Sequence, residues 1–137
     1  MLKYAAAFGC SAIVVAVLDG VWLTVMGNKL YRPVLGDWMA NKVNLPAAAA
    51  FYIIFLVGVT FLATAPALRE LSAGRAALNG AVLGFVAYAT YDLTNQATLN
   101  VWSTRLTIID LCWGTALTTL SAVGGYLAAK WAEGRFG

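Results

Sequence analysis

With 61% hydrophobic and only 11% charged residues over 137 positions, and a mean hydropathy of +0.77, the chain departs from the half-apolar, quarter-charged composition of soluble domains. Burying that much apolar surface in so small a globule would leave large apolar patches in water, so an ordinary soluble fold is excluded and lipid is the expected solvent. The formal charge of +3 does not point to nucleic acid, because the nine Lys and Arg are scattered singly through connecting segments, where they suit lipid headgroups.

The chain has no histidine, and Cys10 and Cys112 sit inside apolar runs without metal-ligand spacing. This disfavours His-ligated haem, zinc catalysis and histidine-rich di-iron chemistry; no metal or other cofactor is expected. A disulfide is not expected either, since the two cysteines fall toward opposite membrane faces in the topology below.

A bilayer core of about 30 Å needs roughly 20 apolar residues at about 1.5 Å rise each. Four segments meet that need: about 4–26, 45–64, 73–94 and 107–129. The first begins like a signal peptide at Met1-Leu2-Lys3, but its apolar run continues to Met26 without a convincing cleavage site, so it is expected to stay as a membrane helix. Pro46 suits the first turn of the second helix, and Pro66 marks where that helix should stop. The expected architecture is all-α, a four-transmembrane-helix bundle forming one domain over residues 1–137.

An even number of spans puts both termini and the 66–72 turn on one side, and the 27–44 and 95–106 loops on the other. The terminus side carries Lys3, Arg69, Arg75, Lys130 and Arg135; the loop side carries Lys29, Arg32, Lys42 and Arg105. That slight excess of positive charge favours cytoplasmic termini in a bacterial inner membrane. Small residues recur at Ala76, Gly80, Gly84 and Ala87 and at Gly114, Gly124, Gly125 and Ala128. Such stripes allow close helix approach in lipid, either within the bundle or across a homodimer seam. Trp38, Trp102 and Trp131 fall at or beyond span ends, as an aromatic belt requires.

Three aspartates interrupt the spans. A charge at the bilayer centre costs from about 2.5 kcal/mol upward, so each calls for a partner or a purpose. Asp19, seven residues before the end of the first span and on the order of 10 Å inside it, is the hardest to explain. Asp92 lies near the end of the third span and Asp110 near the start of the fourth, so all three lie toward the loop side. Tyr88, Tyr91, Asp92 and Asn95 follow helical spacing and continue the face of Gly80 and Gly84. Asp110, Trp113 and Gly114 share a face of the fourth span, and Asp19 and Trp22 one of the first. Together they predict a cup lined by Asp19, Trp22, Tyr88, Tyr91, Asp92, Asn95, Asp110 and Trp113. It should open to the loop side beneath a cap holding Tyr31, Arg32 and Pro33. Alternatively, these groups pair with Arg32, Arg105, Asn95 or helix N-termini and only hold the bundle in register.

The run Tyr88-Ala-Thr-Tyr-Asp-Leu-Thr-Asn95, followed by Ala97-Thr98, Trp102 and Asp110-Leu-Cys-Trp-Gly114, resembles a bacterial family of predicted membrane proteins known only as a domain of unknown function, number twenty-one seventy-seven. Leu18-Asp19-Gly20-Val21-Trp22-Leu23 and Phe51-Tyr52 fit the same pattern. The resemblance implies a four-helix bacterial membrane protein of about this length and brings no activity with it.

Three functions fit these residues. The cup could bind, or act on, the polar end of a lipid or other small amphiphile, with aspartates as acid and base and tyrosines as donors. A dimeric, proton-coupled small-molecule exporter would share the four spans and the deep carboxylate. An accessory subunit would use the small-residue stripes to dock on a larger complex. No nucleophile motif, phosphate loop or redox ligand set decides whether the protein is an enzyme.

Overall fold

The structure, a computed structural model, describes residues 1–136, and among them there is no strand. Helix α1 covers Leu2–Met26, passes through a π-helical turn at Gly27–Tyr31 into the short α2 (Arg32–Leu35), and ends in a 3-10 turn at Gly36–Trp38. Helix α3 (Leu45–Gly58) runs through a second π-helical stretch, Val59–Thr64, into α4 (Ala65–Arg69). Helix α5 spans Ala73–Thr98 and α6 spans Thr104–Phe136. The result is an all-α membrane protein built as a four-helix bundle.

Two expected breaks are absent. The first helical stretch continues to Trp38 because Gly27 keeps right-handed helical geometry and Pro33 falls in the first turn of α2, where a missing N–H costs nothing. Nor does the second helix stop at Pro66. The wider π turn hands its bonding over at Ala65, whose N–H reaches the Thr60 carbonyl, and Pro66 again falls in a first turn, so the helix runs on to Arg69.

Local signals set the ends. The Asn44 side chain accepts from the Ala47 N–H at 3.2 Å, and Ser72 Oγ accepts from the Arg75 N–H at 3.1 Å, capping α3 and α5. Between α4 and α5, the Ser72 N–H bonds back to the Ala67 carbonyl at 3.1 Å, the long bond of a Schellman ending. The residue at its left-handed position is Leu71, with φ +52°.

Three stretches, Leu2–Trp38, Leu45–Arg69 and Thr104–Phe136, are long and apolar enough to cross a membrane. Ile13, Val17, Ile54, Phe61, Phe85, Ile108 and Leu127 cover the outward faces and are exposed, a surface suited to acyl chains. Helix α5 is as long but more polar. Its outward Thr90 and Thr98 return their hydroxyls to the carbonyls of Val86 (2.7 Å) and Thr94 (2.8 Å), so they leave no donor unpaired in lipid.

Helix α6 is central, with α5 along one side and α1 along the other. Small residues set both seams. A Cβ at Gly84 would lie 2.6 Å from the Gly114 carbonyl, and one at Gly80 would lie 2.9 Å from Ala122 Cβ. Across the other seam, a Cβ at Gly125 would lie 2.5 Å from Ser11 Oγ. There Ser11 Oγ donates to the Ser121 carbonyl at 2.9 Å and Ser121 Oγ donates to the Ser11 carbonyl at 3.3 Å. The stripes therefore serve packing within the chain.

Candidate functional site

Antiparallel packing brings the C-terminal ends of α1 and α5 together with the N-terminal ends of α3 and α6, so residues far apart in sequence meet at one end of the bundle. Asp19, Asp92 and Asp110 are all buried there, at 7%, 0% and 5% exposure. An aromatic network surrounds them. Tyr52 on α3 donates its hydroxyl to Asp19 Oδ2, while Trp113 Nε1 on α6 donates to Asp19 Oδ1 at 3.2 Å. The Trp113 ring stacks on Trp22 with centroids 4.3 Å apart and planes within 5°. Trp22 Nε1 donates to the Tyr31 hydroxyl at 2.9 Å, and Tyr31 donates in turn to Asp110 Oδ1.

Asp19 is thus better provided for than its depth suggests, with a donor on each oxygen. The unexplained group is Asp92. Neither of its oxygens receives a hydrogen bond from the described residues, and both are sealed from solvent. The Asp110 carboxyl faces it across the α5–α6 seam, one turn beyond the contact of Tyr88 with Gly114.

No cation enters this network. Among the described residues, the ion pairs lie at the opposite end: Lys3–Glu133 at 2.7 Å, Arg75–Glu70 at 2.7 Å and Lys130–Glu133 at 3.7 Å. Arg32 and Arg105 are exposed, and neither pairs with a carboxylate, so the register-holding ion pairs expected for them do not form.

The expected lining is gathered only in part. Asp19, Trp22, Asp92, Asp110 and Trp113 converge, and half-buried Tyr88 lies among Asp19, Asp92, Asp110 and Tyr52. Tyr91 instead points outward at 59% exposure and meets Trp102 edge-on at 5.6 Å. Asn95, half-buried, has Tyr91 as its neighbour and lies outside the carboxylate cluster. Two further members are Tyr52, which was not expected in the lining, and Tyr31, which was expected in the cap. Tyr52 could have been found as a hydroxyl at the same depth as Asp19, about two turns into the second helix; Tyr31 carried no signal beyond its place in the connection.

The expected opening toward the loop side is covered. Leu30, Trp102 and Leu106 form a small buried cluster over it. Trp102 is therefore not a belt residue: its indole N–H donates to Thr107 Oγ1 at 3.0 Å, and Thr107 donates to Gln96 at 2.7 Å.

Both cysteines are free, and among the described residues no group of histidine, cysteine or carboxylate side chains is arranged to hold a metal. No curated protein and no solved structure matches the chain. The family profile described as "Predicted membrane protein (DUF2177)" matches residues 4–127, a stretch that includes every member of the carboxylate network, and the chain belongs to that family.

Proposed function

We propose that the protein is a multi-pass protein of the bacterial inner membrane, with cytoplasmic termini, that binds the polar end of a lipid or other amphiphile in the acidic and aromatic cup. The observation that carries this reading is Asp92: a buried carboxyl with no donor on either oxygen is costly in a protein interior and more so in lipid, and no side chain of the described residues donates to it. A ligand group seated against Asp92 and Asp110 relieves that cost, while the apolar outer faces of the helices hold its chain. Tyr31 then serves as the removable cover, since its hydroxyl donates to Asp110 Oδ1. The small-residue stripes are used between α1, α5 and α6, which leaves docking on a larger complex without the surface that would recommend it.

Photolabelling in lipid nanodiscs tests this reading, using a neutral fatty alcohol with a photoactivatable group beside its head. The label is expected on peptides carrying Trp22, Tyr52, Tyr88 and Trp113. Label confined to the outward faces at Ile13, Phe61 and Ile108 would refute it.

A further inference from the structure

Helix α3 is loosely held at the end of the bundle where the acids lie. From Leu45 to Ile54 no residue is buried, and only Ala48 and Tyr52 are half-covered, whereas at the same end α1, α5 and α6 each bury a carboxyl. Phe51, Ile53 and Ile54 all face outward and are exposed. The helix is fixed at its other end, where Phe55, Leu56, Val59 and Ala63 enter the core beside Val15 and Leu117. Helices α5 and α6 pack on the π-helical stretch, while α3 itself leans chiefly on α1. A segment with so few buried apolar contacts opens at low cost. Among the described residues, the one side-chain hydrogen bond that ties this half of α3 to another helix runs from the Tyr52 hydroxyl to Asp19 Oδ2. Two features lie where the half would pivot. Gly58 ends α3, and a Cβ there would touch nothing, so packing does not call for a glycine; its effect is added backbone freedom. Val59–Thr64 follow in π-helical form, the kind of interruption at which helices kink.

We infer that Leu45–Ile54 is a lateral gate to the cup, hinged at Gly58 and the π-helical stretch and latched by the Tyr52–Asp19 hydrogen bond. The inference rests on the reading of the cup as an amphiphile site and adds the route of entry. Tyr31 and the Leu30–Trp102–Leu106 cluster cover the loop side, whereas this flank faces the acyl chains. Behind Tyr52 stand Asp19, Trp113 and, stacked on Trp113, Trp22. Outward rotation of α3 breaks the latch and opens these groups to an amphiphile that arrives sideways from the bilayer with its chain still in lipid. Closure returns the Tyr52 hydroxyl to Asp19, so the gate has a defined resting position.

Ala49 lies nine residues before Gly58, an arm of about 14 Å, so a rotation of about 20° moves its tip by about 5 Å. Paired spin labels at Ala49→Cys on α3 and Ile108→Cys on α6 read this movement in lipid nanodiscs, with Cys10 and Cys112 replaced by alanine. Leu93→Cys with Ile108→Cys is the reference pair across the α5–α6 seam, and all three label sites are exposed. Tyr52→Phe is expected to raise severalfold the population of Ala49–Ile108 distances longer by about 5 Å, with the reference pair unchanged. Gly58→Ala, which has room for its methyl group, should reduce that population again in the Tyr52→Phe background. Ala49–Ile108 distances that ignore Tyr52→Phe, or that change together with the reference pair, overturn the gate; a response to Tyr52→Phe but not to Gly58→Ala overturns the hinge. Photolabelling by the neutral fatty alcohol in the same nanodiscs separates the gate from the function it serves. Faster labelling of the Trp22 and Trp113 peptides in Tyr52→Phe supports both. Labelling with a static α3 overturns the gate alone, and a moving α3 without labelling overturns the function proposed for the cup and the entry route with it.

Discussion

The ring of Tyr88 occupies the space that a side chain at Gly114 would need: a Cβ built there would lie 2.1 Å from Tyr88 Cγ. Glycine at this point of α6 is what lets α5 approach and sets Tyr88 beside the acids. Gly114→Ala should therefore force Tyr88 aside and destabilise the protein by about 1–3 kcal/mol, in the range of overpacked cores. Thermal unfolding in detergent would check this, and Tyr88→Ala in the same chain should recover part of the loss, because the two residues share the contact. An unchanged midpoint for Gly114→Ala would show that the helices stand further apart.

The α4–α5 turn holds a separate opportunity. Leu71 has a left-handed backbone, φ +52°, where glycine is the usual residue, and its side chain is exposed. Leu71→Gly should stabilise the protein by about 1 kcal/mol through relief of that strain. A lower melting temperature in the variant would mean that the leucine side chain contributes more from its place at the membrane surface than its backbone costs.

Asp19 is expected to act as a clasp. Both of its oxygens accept hydrogen bonds, from Tyr52 and Trp113, so it ties α1 to α3 and α6. Asp19→Asn exchanges one acceptor for a donor that then faces a donor. Stability should fall by about 1 kcal/mol, within the range measured for hydrogen bonds between membrane helices. Tyr52→Phe should give a similar loss, and the double variant should lose less than the sum. Strict additivity of the two losses would separate the residues.

Legibility followed the physics of each feature. Four helical stretches could be read directly, and three of them are long and apolar enough to cross a membrane, because hydropathy is a local property and a bilayer imposes its thickness on it; the third, expected over 73–94, forms as a helix but is more polar than expected. Facing of the small residues was also readable, since Gly80 and Gly84 stand on the face that Asp92 shares. Helix ends were less so: Gly27 and Pro66 are breakers by composition, yet π turns next to each absorbed the mismatch, and that adjustment has no local signature. Asp19 looked the most anomalous from depth alone, whereas its two donors come from Tyr52 and Trp113, 33 and 94 residues away. Asp92 looked shallow from its place near the end of its span, and only the closure of Tyr31, Leu30 and Trp102 over that end makes it the buried, unpaired acid. Tyr91 misled because its spacing fits the inward face, while the α5 surface at that level turns it toward Trp102.

The central claim is that Asp92 and Asp110 receive the polar end of a ligand, and Asp110→Asn tests it most directly. An asparagine at this position can still accept from Tyr31 and can donate to Asp92, so the fold should hold, with a melting temperature within a few degrees of the parent for a chain of this size. The measurement is photolabelling of the cup peptides by the fatty-alcohol probe in nanodiscs, parent and variant side by side. With Asp92 satisfied from within the chain, labelling of the peptides carrying Trp22, Tyr52, Tyr88 and Trp113 should fall by about tenfold, as expected for loss of about 1.4 kcal/mol of binding. Equal labelling in a folded Asp110→Asn protein would contradict the claim and return the carboxylates to a purely structural role.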